Sequence, residues 1–150
     1  MARRDDVHNN AQQLILLAPT VITAAVTGTV STGTVVTPLL SGMTYLVALG
    51  KFVYGSGGTT AKFWIQTSYD QGATWNDIMN FAFTTASATK VSAVNAYIAP
   101  AAQAGAQTDA TLADNTIIQG LIGDRIRVKY TTTGTYGGST TASIYAIAKG

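Results

Sequence analysis

The chain has no cysteine and no glutamate, and its one histidine is His8. Without cysteine it can build no disulfide framework, thiolate metal site or cysteine nucleophile. Without glutamate the zinc-protease motif H-E-x-x-H cannot form, and a Ser-His-Asp triad would have to recruit His8. Neither a Gly-rich phosphate loop nor a G-x-S-x-G nucleophile elbow occurs. We therefore expect no catalytic residues, no cofactor and no bound metal, and we predict that the protein is not an enzyme.

Charge is also scarce, at 11% of residues where about 25% is usual. The net charge is +2, and Arg3 and Arg4 are followed at once by Asp5 and Asp6, so that end is close to neutral. This distribution predicts no nucleic-acid partner. No apolar run approaches the ~20 residues of a transmembrane helix, and the polar stretch DDVHNNAQQ is unlike a secretory signal. We expect no membrane partner and a protein made in the cytoplasm.

What the sequence does contain is strand signals, over a length of 150 residues that suits one domain. Segments rich in β-branched or alternating residues are separated by turn signals roughly every ten residues, and GDRIRVKY at 123–130 alternates most clearly. No strand–helix alternation of an α/β fold is present. We predict an all-β fold, an antiparallel β-sandwich or jelly roll of about 7–9 strands, in a single domain over residues 20–150.

Residues 1–19 follow a different pattern, polar at first and then briefly apolar before Pro19. We interpret them as an N-terminal arm outside the sandwich, with a frayed terminus as the alternative. Four consecutive large aliphatic residues would be a liability in water, so we expect the arm to pack on a neighbouring subunit. The candidate contacts with that subunit are Leu14, Ile15, Leu16 and Leu17.

One short motif is specific. Residues 68–75 read SYDQGATW and fit the pattern S-x-D-x-G-x-T-W, which resembles the Asp-box, a hairpin signature of sialidases and other β-propellers. The Asp of such a turn accepts backbone N–H groups, the Gly takes a positive φ, and the Trp packs on the hairpin. A propeller needs several copies and this chain has one, so we predict a structural turn. Its motif residues are Ser68, Asp70, Gly72, Thr74 and Trp75.

The only clustered charge is the stripe formed by Arg125, Arg127 and Lys129 at alternate positions of one predicted strand. Two interpretations are open. The stripe suits a solvated sheet face or a guarded edge strand, and it equally suits contact with an acidic partner surface. We keep these three residues as candidate subunit or capsid contacts.

Residues 99–115 are small and polar, and they predict a long surface loop of a length that is often functional. Asp109, Asp114 and Asn115 within it have side chains that can hold a cation. Ordinary turns explain these residues better, because Asp and Asn side chains hydrogen-bond their own backbone in turns.

Most of the chain falls into blocks that begin AKFWIQTSYDQGATW at 61, TLADNTIIQGLIGDRIRVKY at 111 and STTASIYAIAK at 139, after the opening MARRDDVHNNAQQL. These blocks resemble small β-sandwich structural proteins that tailed bacteriophages and prophages encode, usually near their capsid genes. The resemblance implies a component of the virion, and it carries no catalytic residues. The low charge content agrees with it, since surfaces that face other subunits are poor in charge.

Our first hypothesis is therefore a structural virion protein that decorates or cements the capsid after assembly in the host cytoplasm. Its partners would be the major capsid protein and copies of itself, with a trimer as the favoured homo-oligomer. One alternative is a head–tail connector, tail or fibre-associated virion protein. Another is a carbohydrate-binding module that stacks sugar on Trp64 and Trp75, because Trp64 lies on the polar face of its predicted strand.

Overall fold

The structure is a computed structural model that describes residues 11–31, 42–100 and 105–150. These residues form ten β-strands and no helix, so none of them belongs to a helix able to cross a membrane. In chain order the strands are β1 (Ala11–Val21), β2 (Val26–Ser31), β3 (Tyr45–Val53), β4 (Ser56–Gly57), β5 (Thr60–Ser68), β6 (Asn76–Phe83), β7 (Ala88–Asn95), β8 (Arg125–Thr133), β9 (Tyr136–Gly137) and β10 (Thr141–Lys149).

The eight longer strands form two four-stranded sheets. The first sheet has the order β1-β10-β3-β7 and the second sheet the order β2-β8-β5-β6, while β4 and β9 pair as a short ribbon. Every strand pairing is antiparallel. The predicted all-β antiparallel sandwich is confirmed, and the eight longer strands agree with the expected number of about 7–9.

Alternation along the strands places one side of each sheet in a shared core. On β10, Ile144, Ala146 and Ala148 are buried, whereas Tyr145 and Ile147 between them are more exposed. This is the period of two that an extended chain imposes on its side chains. The core therefore lies between the two sheets, and each sheet keeps an outer face.

Aromatic rings join the two sheets. Phe52 of β3 in the first sheet stacks on Phe83 of β6 in the second, with ring centroids 5.2 Å apart, and within the second sheet Phe63 of β5 meets Phe83 edge-on at 5.9 Å. Such pairs add about 0.5–1.5 kcal/mol to the effect of area burial. Gly50 of β3 leaves room for a further ring, because a Cβ atom there would lie 2.9 Å from the side chain of Phe81.

Residues 11–19 are not an arm outside the sandwich, because they form most of β1 and pair with β10 in the first sheet. Leu14, Leu16 and Leu17 are buried in the chain's own core, and of the four candidate contacts only Ile15 is exposed, at 39%. A bulge between Ile15 and Leu17 lets the adjacent Leu16 and Leu17 both be buried. The arm interpretation was wrong because this bulge hides the period-two pattern of the strand. The rest of the predicted arm, residues 1–10, lies outside the described residues.

Two other boundaries differ from the sequence interpretation. The described part of the sandwich begins at Ala11 rather than at residue 20. The chain just after Thr20 divides between the two sheets, because β1 ends at Val21 in the first sheet and β2 begins at Val26 in the second. The sequence patterns also did not single out β7, whose burial alternates only weakly.

Candidate functional site

The structure places all five motif residues in one tight turn between β5 and β6. The carboxylate of Asp70 accepts the backbone N–H of Thr74 at 2.8 Å and its hydroxyl at 2.7 Å. The Ser68 hydroxyl accepts the N–H of Gly72 at 2.7 Å, and Gly72 itself has a φ of 94°. The hydrogen bonds that the Asp70 carboxylate accepts, first the one from the Thr74 N–H and then the one from the Thr74 hydroxyl, lower the pKa of Asp70. The Asp70 carboxylate is thus committed to holding the turn.

Trp75 ends the turn and ties it to β8. Its indole N–H donates to the carbonyl of Gly72 at 3.0 Å. The guanidinium of Arg127 lies over the Trp75 ring, 4.3 Å from the centroid, and its Nε donates to the side-chain oxygen of Gln66 at 2.8 Å. Burial lowers the pKa of Arg127, while the negative charges of Asp109 and Asp77 oppose that shift. The Arg127 side chain therefore joins hairpin, β5 and β8.

The predicted loop 99–115 does not stand away from the sandwich over its described part. The N–H of Asp77 donates to Thr108 and that of Asn80 to Thr116, both at 2.9 Å, and the N–H of Ile118 donates to Ile78 at 2.9 Å. Residues 108–118 therefore follow the edge of β6 that does not pair with β5. We call residues 108–118 the clamped loop.

A single buried carboxylate anchors the start of the clamped loop. Asp77, 1% exposed, accepts three consecutive backbone N–H groups, those of Ala110, Thr111 and Leu112, each at 3.0 Å. It also accepts the side-chain amide of Gln66 at 2.8 Å. Successive N–H groups that converge on an anion form a nest, which satisfies a buried carboxylate without a paired cation. The sequence motifs gave no signal for this role of Asp77.

The end of the clamped loop is held by neutral groups. The side-chain oxygen of Asn80 accepts the N–H of Asn115 at 2.9 Å, and the Trp64 indole donates to the carbonyl of Leu112 at 3.0 Å. At the surface, Lys62 pairs with Asp114 at 2.8 Å. The residues considered for a cation are thus bound to the protein itself. Among residues 11–31, 42–100 and 105–150, no group of three His, Asp or Glu side chains is placed to hold a metal ion.

The positive stripe contacts this same loop. Lys129 donates to the carboxylate of Asp109 at 2.9 Å, and Arg127 lies 4.0 Å from the same oxygen. The Lys129 hydrogen bond is the largest cause that lowers the pKa of Asp109. The Nε of Arg125 lies 3.8 Å from the carboxylate of Asp124. The guarded-edge interpretation is wrong because β8 lies between β2 and β5, and the acidic surface beside Arg127 and Lys129 belongs to this chain.

The tryptophan platform proposed for sugar is not present. Trp64 is 6% exposed beneath the clamped loop, and one face of Trp75 is covered by Arg127. Tyr69 beside the hairpin is half exposed, but its hydroxyl donates to the carbonyl of Leu121 at 2.6 Å, and burial raises the pKa of Tyr69 to about 12. The sequence suggested an exposed Trp64 because its neighbours on that face of β5 are polar. The clamped loop, which is distant in sequence, covers this face.

The opposite surface of the molecule, the outer face of the first sheet, is apolar across all four strands. One row runs Ile15–Tyr145–Leu49–Val91, with each residue opposite the next in register. A second row sets Ile147 beside Val47. Residues directly opposite in antiparallel strands share a face, so these side chains form one patch. We call it the apolar sheet face, and it consists of Ile15, Val47, Leu49, Val91, Tyr145 and Ile147.

Charge on this face is confined to its ends. Lys149 is opposite Tyr45 at one end, and Lys51 is opposite Ser143 towards the other. None of β1, β3, β7 and β10 contains an acidic residue. Val91 is 62% exposed, whereas Leu49 and Tyr145 in the middle of the row are partly buried by their neighbours. The centre of this face is therefore apolar, with polar residues such as Gln13 and Thr89 around it, and the four strands place no carboxylate on it.

No family model matches the chain, and no curated protein matches it. Among solved structures, one similar chain is described as the structure of Eiger TNF from S. frugiperda. It is 12% identical, the match covers 93% of this chain and 90% of that one, and the TM-score is 0.39. A likeness at this level carries no argument about what this chain does.

Proposed function

We propose that this chain is a structural, non-enzymatic virion protein of a tailed bacteriophage or prophage that decorates the capsid and binds the major capsid protein lattice. The observation that carries the structural role is the apolar sheet face. The bacteriophage assignment comes from the sequence resemblance of the blocks at 61, 111 and 139. In this proposal the protein occupies the virion surface and works by being packed among neighbouring subunits.

An exposed face of this kind favours burial against protein. Each large aliphatic side chain contributes about 1.5–3 kcal/mol when it passes from full exposure to full burial. Ile15 and Ile147 are 39% and 37% exposed, so each has a part of that free energy still to gain. Contiguous apolar patches of several hundred Å² on a soluble protein commonly mark interaction sites. The apolar sheet face supports a role in assembly.

The carboxylates of the described residues support the non-enzymatic part of the proposal. Asp70 holds the hairpin and Asp77 the clamped loop. Asp109 and Asp114 bind Lys129 and Lys62, and one carboxylate oxygen of Asp124 lies 3.8 Å from the Nε of Arg125. The pKa values of Asp70 and Asp109 are lowered by their contacts, whereas a carboxylic acid that acts as a general acid needs a raised pKa.

The test is the location and copy number of the protein on particles of the phage that encodes it. We expect quantitative mass spectrometry and electron cryomicroscopy to find copies on the order of hundreds arranged with the symmetry of the head. Particles made with the gene intact that carry none of this protein would overturn the proposal. A matched pair of particles, with the gene intact and with its start codon removed, provides the control.

Copy number also separates the second candidate, a head–tail connector, tail or fibre-associated protein. A ring of about six or twelve copies at one vertex would identify that role. The apolar sheet face suits both roles, and the resemblance to proteins encoded near capsid genes favours decoration. The carbohydrate-binding alternative loses its two-tryptophan platform because Trp64 is buried and Trp75 is covered by Arg127.

A further inference from the structure

We propose that the apolar sheet face is a self-association surface that binds a second copy of this chain, face to face about a two-fold axis. The inference rests on the proposed structural function and deepens it, since it names one partner of the same molecule, and it replaces the trimer favoured from the sequence with a two-fold pair. It stands on the register of the first sheet, the size of the face and the positions of its two lysines. None of these observations depends on the identity of the virion.

The outer surface of the first sheet, with the apolar sheet face at its centre and polar residues around it, is large enough for a stable pair. Four strands spaced about 4.8 Å apart, with nine residues at about 3.4 Å each in the longer ones, cover roughly 19 Å by 30 Å. This is a plane of roughly 570 Å² per copy, and side-chain relief adds to it. Two copies would together bury more than the approximately 1,000 Å² that separates specific interfaces from incidental contacts.

The lysines leave room for a second copy, because a two-fold axis sets each of them opposite a neutral residue, with the two Lys149 side chains at one end of the pair and the two Lys51 side chains towards the other. Lys149 lies on β10 at one end of the face, and Lys51 lies on β3 towards the other. An axis parallel to the strands, passing between β10 and β3, lays β10 of one copy over β3 of the other. Since β10 and β3 pair Lys149 with Tyr45 and Ser143 with Lys51 within one copy, Lys149 of one copy then faces Tyr45 of the other, and Lys51 of one copy faces Ser143 of the other. No two lysines oppose each other, although the face has no carboxylate to neutralise them.

The same operation pairs the apolar residues. Tyr145 of one copy lies over Leu49 of the other, and Ile147 lies over Val47. Packed sheets lie about 10 Å apart with their side chains interdigitated, which is the spacing already present in the core of a sandwich. A two-fold contact is isologous, so every apolar pair occurs twice in the interface.

Sedimentation velocity of the purified full-length chain tests the proposal with Val91→Lys and a matched control. Val91 is 62% exposed, so the substitution leaves the core unchanged. Val30→Lys adds the same charge at an exposed valine of the second sheet, where Asp109 beside Lys129 offsets it. We expect a dimer for the wild type and for Val30→Lys, and a dissociation constant raised at least tenfold for Val91→Lys, a change of about 1.4 kcal/mol.

Because the chain has no cysteine, single-cysteine variants carry one nitroxide label each. A label on Val30→Cys, which lies outside the interface, should report a distance between copies of about 30 Å or more, since the first sheet of each copy lies between Val30 and the interface. A wild-type monomer at about 100 μM, a trimer, or a dimer that Val91→Lys leaves unchanged would each overturn the inference. These measurements need no particles, so they can fail while decoration of the capsid stands, and the reverse also holds.

Discussion

The carboxylate of Asp77 accepts the backbone N–H of Leu112 at 3.0 Å, which ties β6 to a residue 35 positions further along the chain. Ala110 and Thr111 donate to the same carboxylate. Because Asp77 is buried, its oxygens depend on these donors rather than on water. The position of the clamped loop on the second sheet therefore depends strongly on this one side chain.

Replacement of that carboxylate should release the loop. We expect Asp77→Ala to lower the free energy of unfolding by about 2–4 kcal/mol, because three backbone donors lose their acceptor and the Gln66 amide keeps only its bond to Asp109. Amide hydrogen exchange should accelerate at Ala110–Leu112, and urea unfolding measures the loss. The control Asp114→Ala removes a surface pair with Lys62 and should cost less than about 1 kcal/mol. Equal losses in the two variants would contradict the anchoring role.

The hairpin at 68–75 should be sensitive to its glycine. Gly72 has a φ of 94°, and the nearest atoms to an added Cβ lie at 3.6 Å, so the cost of Gly72→Ala is backbone strain rather than a clash. We expect a loss of about 1–2 kcal/mol in thermal unfolding. Gly105→Ala is the control, because its Cβ would meet nothing within 4 Å and its φ is not in the left-handed region. A control that loses as much stability as Gly72→Ala would refute this account.

The assignment of residues 11–19 to the core is tested by adjacent substitutions. Leu16 is completely buried, so Leu16→Ala should cost about 2–5 kcal/mol. Ile15→Ala, on the outer face, should cost about 1 kcal/mol or less in the monomer. Removal of residues 1–19 deletes most of β1 and should prevent folding, whereas removal of residues 1–10 leaves β1 whole. A truncation at 19 that unfolds at the wild-type urea concentration would restore the arm interpretation.

Acid should weaken the contact between the positive stripe and the clamped loop. The pKa of Asp109 is lowered in the folded protein, chiefly by the Lys129 hydrogen bond. Its contribution to stability is therefore present above the unfolded value of about 3.9 and lost as pH falls through the folded value. Urea unfolding should show wild type more stable than Asp109→Asn at neutral pH, with the difference shrinking below about pH 4. A difference that stays constant or grows on acidification would be inconsistent with this contact.

Some of this structure could be read from the amino-acid sequence because its causes are local. The hairpin at 68–75 is built from bonds that Ser68, Asp70 and Thr74 make within eight consecutive residues. The alternation of Ile126 and Val128 with the stripe residues follows from the geometry of any extended chain. The all-β fold class follows from the repetition of such segments.

Only the tertiary structure decided which surfaces are covered. Local pattern cannot show that β1 carries a bulge, that β8 lies inside its sheet, or that a distant loop covers Trp64. The apolar sheet face is also invisible in sequence, since Ile15, Leu49 and Val91 become neighbours only when strand order and register are set. Strand order and register arise from contacts between segments far apart in the chain. A shift of one residue in register would send every side chain of a strand to the other face of the sheet.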